Sequence, residues 1–117
     1  MREIKFKGKR VDNGEWVYGN FLHLKGETLE AFSIVTIDAI YYQVHPETVG
    51  QYTGLKDKNG VKIYQGDVVE FQGSSISHEV SYHGNGFVLS QNGVTRAYNW
   101  TGKYIEVTGN IHDKKQK

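Results

Sequence analysis

Apolar and polar side chains alternate with a period of two along most of this chain, the spacing of half-buried strands rather than of helices. In the opening segment Ile4 and Phe6 point one way while Glu3, Lys5, Lys7 and Lys9 point the other, and Asp12-Asn13-Gly14 then turns the chain. The returning run from Glu15 to Leu22 sets Trp16 and Tyr18 against Val17, Gly19 and Phe21, completing an N-terminal hairpin. Residues 28 to 44 are rich in β-branched and aromatic types, with Asp38-Ala39 as a weak interruption, and predict two further strands. One short helical turn is expected at His45-Pro46-Glu47-Thr48-Val49, where proline suits the first helical position and Glu47 the helix N-terminus.

Beyond Gly50 the turn signals become frequent. Asn59-Gly60 supplies two residues that tolerate positive φ, with Asp57 and Lys58 keeping the tip solvated, and Gly66-Asp67 makes a second reversal into Val68-Val69-Glu70-Phe71. From Ile76 the chain reads as a meander whose strands carry Val80 and Tyr82, Phe87 and Leu89, Val94 through Trp100, and Ile105 and Val107. With the strand after Gly66-Asp67 this gives about five strands. The expected fold is all-β: an N-terminal β-hairpin region plus a small SH3-like barrel or strongly bent antiparallel sheet, with at most one helical turn. Residues 1–112 are expected to form a single domain, with subdomains 1–50 and 51–112 if it divides, followed by a flexible basic tail over 113–117.

The 117 residues suffice for one core, and 14 glycines against one proline agree with many short elements joined by turns. Cysteine is absent, which excludes disulfides, thiolate metal sites and cysteine nucleophiles. No apolar run approaches the ~20 residues that span a bilayer, and the opening MREIKFKGKR lacks the apolar stretch of a signal peptide, so a cytoplasmic location is expected. Net charge is only +1 but unevenly laid down, with +4 over residues 1 to 11 and −5 over residues 12 to 55. Such a chain has no global field for nucleic acid, although a local basic strand can still contact phosphates.

Candidate chemistry is sparse. His45, His78 and His83 are imaginable metal ligands, but residues five apart on a strand face opposite sides, and exposed turn histidines are the simpler reading. Asp57, Asp67, Glu70 and Glu79 have simpler work as acids: Asp57 can accept backbone hydrogen bonds in its turn, Asp67 opens a strand, and Glu70 points outward from Val69 and Phe71. The serines around His78 lack a nucleophile elbow. Two surfaces remain. Lys5, Lys7, Lys9 and Arg10, with Arg2 nearby and Trp16 and Tyr18 across the turn, combine charge with stacking area, as single-stranded nucleic-acid binders do; the plainer reading is an edge strand guarded by lysines. Eight tyrosines, among them Tyr41, Tyr42, Tyr52, Tyr64 and Tyr98, together with Trp100, could build a protein interface or cap a small barrel.

Three blocks, REIKFKGKRVDNGEWVYG at the start, PETVGQYTGLKDKNGVKIYQGDVVEF in the middle and IEVTGNIHD near the end, resemble the YopX family of small proteins encoded by phages and prophages. The middle block is the specific one, and residues 24 to 44 and 73 to 100 carry no family motif. The resemblance implies a largely β fold and phage origin, and it supplies no catalytic residue set, cofactor or metal. The expected function is non-enzymatic: an accessory protein that contacts an unidentified host or phage protein through Lys5, Lys7, Lys9, Arg10, Trp16, Tyr18, Tyr52 and Tyr64, with a homo-oligomer as a consequence if the tyrosines form an interface. The alternative is nucleic-acid binding through the basic N-terminal strand.

Overall fold

The structure, a computed structural model, describes residues 5–83, 86–97 and 100–113. Among the described residues eleven strands form two antiparallel sheets, ordered β4-β3-β2-β1-β5-β6 and β10-β9-β8-β7-β11. The chain divides into two compact units between Tyr52 and Thr53, inside β5 (Gly50–Lys56). No helix among the described residues is long and apolar enough to cross a membrane.

The first unit is the expected hairpin, β1 (Phe6–Lys9) and β2 (Trp16–Lys25), extended by β3 (Glu30–Val35) and β4 (Tyr41–Gln43). The period-two pattern is kept in the register: Lys7 pairs with Tyr18 and Lys9 with Trp16, while Phe6 pairs with Gly19 on the opposite face. That opposite face holds the apolar centre. Phe6, Phe21 and Phe32 form a row with ring centroids 5.9 and 6.3 Å apart, beside buried Ile34 and Val44. Gly19 is required in β2 because a Cβ there would fall on the Val35 carbonyl oxygen. Strand β1 is no edge strand, contrary to the lysine-guarded edge expected of it. It pairs with β2 on one side and with Gly50 and Gln51 of β5 on the other. Its last residue is held as well, since the Lys9 amide donates to Thr48 Oγ1 (2.9 Å) and the His45 amide donates to the Lys9 carbonyl (2.9 Å). The segment that supplies these partners includes the expected proline-initiated turn, a 3-10 turn over Pro46–Thr48.

In the second unit the end of β5 and β6 (Lys62–Tyr64) make a hairpin around Asn59-Gly60. The five expected strands follow: β7 (Asp67–Phe71), β8 (Ser77–His83), β9 (Gly86–Gln91), β10 (Val94–Ala97) and β11 (Ile105–Asn110). Ile63, Val69, Val80, Leu89 and Ile105 are fully buried together, with Leu55, Phe71, Phe87 and Trp100 packed around them. The Trp100 indole N–H donates to the Phe87 carbonyl at 2.9 Å, which satisfies its one polar atom inside this apolar cluster.

This sheet does not close into a barrel. Strand β11 returns to pair with β7, and the groups on its other side are taken by the β5–β6 turn. There the Val107 amide donates to Asp57 Oδ2 (2.9 Å) and the Lys58 amide donates to the Ile105 carbonyl (3.0 Å). Asp57 Oδ1 also accepts from the Asn59 and Val61 amides at 2.8 and 2.9 Å. One carboxylate thus shapes the turn and occupies the sheet edge. Burial pushes the Asp57 carboxyl up; the donations from Val107, Val61 and Asn59, with the Lys58 charge, outweigh it and hold the group below the ordinary aspartate value.

Two details depart from the sequence pattern. A second 3-10 turn, Gly102–Tyr104, follows Thr101, whose side chain accepts from the Lys103 amide, where only a simple reversal is expected. Asp113, the first residue of the expected tail, is hydrogen-bonded: its Oδ2 accepts from the Asn110 amide (2.9 Å) and its amide donates to the Asn110 carbonyl. The rest of that tail lies outside the described residues.

Two substitutions test this architecture. At Gly102 a Cβ would land on the Lys56 carbonyl oxygen and sit 3.2 Å from Ile63 Cδ1, so Gly102→Ala is expected to cost at least ~1–3 kcal/mol and lower the melting temperature by several degrees. Gly86→Ala, which meets nothing within 4 Å, should stay within ~0.5 kcal/mol in the same thermal melts. Asp57→Asn should lose ~1–3 kcal/mol at pH 7 in urea titrations, since one amide oxygen cannot serve three donors. The native carboxylate contributes fully above the ordinary value of 3.8, and that contribution is lost as pH falls through its lower folded-state value. The stability gap between the native chain and Asp57→Asn should therefore narrow across that acid window.

Candidate interaction face

Strand alternation divides the first unit into two faces, and the face away from the phenylalanine row collects most of the candidate residues. Lys7 and Lys9 of β1 lie opposite Tyr18 and Trp16 of β2. Lys5, one residue before β1, continues the alternation, and its carbonyl accepts from the Tyr52 amide at 2.6 Å. The same face runs on through Asn20, Leu22 and Leu24 of β2, Ala31, Ser33 and Val35 of β3, and Tyr41 and Gln43 of β4, as the cross-strand register requires. Every side chain on this face of β1–β4 is basic or uncharged. Around half-buried Asn20, Leu22, Ser33 and Val35 stand three more exposed side chains, Tyr18 next to β1, Leu24 near the end of β2 and Tyr41 on the edge strand β4, 42, 56 and 63% exposed.

The lysines are held against aromatic surface rather than extended into solvent. The Lys7 ammonium lies 4.5 Å from the centre of the Trp16 ring and that of Lys9 5.4 Å from it. Lys7 is only 8% exposed, against the solvated position that alternation alone suggests. A long aliphatic stem can be buried along apolar surface while the charge rests on a ring quadrupole, which is how an interior strand accommodates lysine here.

Two candidates do not join this group. Arg10 falls on the other side of β1, where its guanidinium stacks 4.4 Å from the Tyr42 ring centre and donates to both carboxylate oxygens of Asp12 (2.9 and 2.7 Å). The hydrogen bonds to Asp12 raise the Arg10 pKa, and the same bonds lower that of Asp12. Tyr64 belongs to the second unit and is 3% exposed, so it is a packing residue and not part of an exposed surface. Of the other aromatics, Trp100 is spent on the second unit's core and Tyr98 lies outside the described residues.

The acids and histidines are dispersed. Asp67 is buried; its Oδ2 accepts from the Tyr64 amide (2.8 Å) and its Oδ1 from Asn110 Nδ2 (2.9 Å), so it fastens β6 and β11 at the strand entrance. Glu70 accepts from the Ser77 hydroxyl (3.2 Å) across β7 and β8. His45 precedes the 3-10 turn of the first unit. His78 is a strand residue rather than an exposed turn histidine, with its ring edge-on to Phe71 at 5.3 Å and its Nδ1 buried without a partner. No group of three His, Cys, Asp or Glu capable of holding a metal ion occurs among the described residues.

The exposed apolar residues are what sequence reasoning missed. Leu24 lies two residues past the alternating run of Glu15 to Leu22, and Leu29 and Ile37, 80 and 72% exposed, look in sequence like ordinary strand formers. Continuing the alternation by one more step beyond Leu22 reaches Leu24. Tyr41 joins the face only through its pairing with Val35, which no single strand reveals.

The fold has a counterpart among solved structures. The crystal structure of protein EF1440 from Enterococcus faecalis is similar over 96% of this chain and 95% of that one, with a TM-score of 0.56 and 21% identity, a likeness of fold. No curated protein matches the chain. The YopX protein family profile matches residues 5–116, which takes in both units, the basic strand and the Asp57 turn. The chain belongs to the YopX family.

Proposed function

We propose that this protein is a non-enzymatic, phage-derived accessory protein that works by binding another protein through the exposed face of its first unit. The carrying observation is the sheet face on which Tyr18, Leu24 and Tyr41 stand exposed around a centre without charge. Apolar side chains clustered on one solvent-facing surface are the usual signature of a partner site, and tyrosine supplies contact area at low entropic cost. The occupation of the most buried carboxylates supports the non-enzymatic reading: Asp57 and Asp67 both spend their oxygens on amide donors, which leaves them as fasteners rather than proton carriers.

Nucleic-acid binding through the basic strand fits these contacts less well. A base would have to stack on Trp16, whose ring already faces the Lys7 and Lys9 ammonium groups, and Arg10 is paired with Asp12.

Affinity capture from phage-infected host lysate, with and without nuclease, tests the assignment. A discrete protein should survive nuclease treatment and be lost from the Leu24→Lys/Tyr41→Lys double variant, which alters only exposed positions. Loss of all bound material on nuclease treatment would overturn the proposal and return the basic strand to first place.

A further inference from the structure

Three Asn-Gly pairs stand at described turns, Asn13-Gly14, Asn59-Gly60 and Asn92-Gly93, and all six residues are exposed. Asn85, of the fourth pair, lies outside the described residues. An asparagine followed by glycine is chemically labile, because glycine has no side chain to keep its amide nitrogen from the asparagine side-chain carbonyl carbon and lets the backbone take up the attacking geometry. Hydrogen bonding distinguishes the three pairs. The Gly14 amide donates to the Arg10 carbonyl (2.9 Å) and Asn13 Oδ1 accepts from the Glu15 amide (2.9 Å), so both reacting groups are held. The Gly60 amide donates to the Asp57 carbonyl (3.0 Å), and the Asn59 amide donates to Asp57 Oδ1 (2.8 Å). Asn92 and Gly93 instead form the two-residue loop between β9 and β10, closed by the pairing of Gln91 with Val94. Their φ values of +52° and +80° are those of a type I′ turn. Such a turn is bonded through its flanking residues and leaves its central amides free. Neither the Asn92 side chain nor the Gly93 amide has a hydrogen-bond partner among the described residues.

We infer that Asn92 is a site of spontaneous deamidation, favoured over Asn13 and Asn59 by the unbonded groups of its turn. The Gly93 nitrogen attacks Asn92 Cγ and loses its proton to solvent; the N–Cγ bond forms, Nδ2 takes up a proton, the Cγ–Nδ2 bond breaks and ammonia leaves. Water then opens the resulting five-membered imide. Its addition at Cγ restores the main chain and yields aspartate, whereas its addition at the Asn92 carbonyl carbon yields isoaspartate, whose main chain runs through Cβ and Cγ. Either product places a carboxylate on the uncharged loop Gln91-Asn92-Gly93-Val94. The isoaspartyl product also lengthens a loop whose turn type fixes the β9–β10 register. Strand β10 lies at the edge of its sheet and supplies none of the fully buried residues Ile63, Val69, Val80, Leu89 and Ile105, so the change falls on the sheet margin rather than on the core.

The test is ageing of the intact chain in warm, mildly alkaline buffer, followed by mass spectrometry of chymotryptic peptides. Cleavage after Phe87 separates Asn92 from Asn85. The mass gain of amide-to-acid conversion, with the paired chromatographic peaks of aspartyl and isoaspartyl peptides, reports each site by itself. Breaking one hydrogen bond before attack is worth about fivefold in rate, so Asn92 should convert at least about fivefold faster than Asn13 or Asn59. In urea that unfolds the chain the three rates should converge, because the same dipeptide then has no native bonds to hold it. Indistinguishable rates in the folded chain, a lead of Asn13 or Asn59, or no conversion at Asn92 would overturn the inference. So would a lead of Asn92 that persists undiminished in urea, since the flanking sequence and not the turn would then be its cause.

Discussion

The second unit depends on one carboxylate. Asp57 receives the amides of Asn59, Val61 and Val107, so a single side chain closes the hairpin turn and occupies the edge of a strand fifty residues further along. Charge-assisted bonds to backbone amides are among the stronger polar contacts available to a folded chain. This set also stands where a further strand would have to pair. The edge of β11 is thereby closed to pairing without a barrel being formed, which leaves the five-stranded sheet open but protected on that side.

The same contact explains why the Gln51–Phe71 stretch is so dense in turn and strand signals. Asn59-Gly60 gives the reversal, Asp57 anchors it, and Ile63 enters the fully buried cluster with Val69, Val80, Leu89 and Ile105. A few residues on, Asp67 repeats the device, joining the Tyr64 amide to the Asn110 side chain. Two buried acids that could be mistaken for catalytic candidates are, in this geometry, the fasteners of two reversals. Both oxygens of each accept hydrogen bonds from the protein itself, which ties the carboxylates to the backbone of the turns and strands they join.

In the first unit the governing constraint is that β1 has partners along both edges while carrying a lysine at every second position. Sheet pairing fixes the lysines on one face, and Trp16 and Tyr18 stand directly across the ladder from them. Cation–π contact and buried aliphatic stems reconcile the charges with an interior strand. The phenylalanine row takes the other face, so the hairpin separates an aromatic, packed side from a basic and apolar, solvent-facing one. Membership of the YopX family and the likeness to the Enterococcus faecalis protein concern nearly the whole chain, whereas this separation concerns particular residues.

Much of this is legible in the amino-acid sequence alone. Period-two alternation reveals the strands and the face on which Lys5, Lys7, Lys9, Trp16 and Tyr18 meet, because side-chain direction in a strand is set by position alone. Turn chemistry places the reversals at Asn13-Gly14, Asn59-Gly60 and Gly66-Asp67, and Pro46 marks the 3-10 turn. Alternation does not tell which strands lie beside one another. That β1 is interior, that Arg10 turns to Asp12 and Tyr42, that Tyr64 is buried, and that Leu24 and Tyr41 extend one exposed face all depend on pairings between residues distant in sequence. Whether the five-stranded sheet closes is likewise beyond the local pattern. Closure would need groups on the free side of β11, and there the Val107 amide and the Ile105 carbonyl are taken by Asp57 and Lys58, contacts that exist only once the tertiary structure has brought the β5–β6 turn against β11.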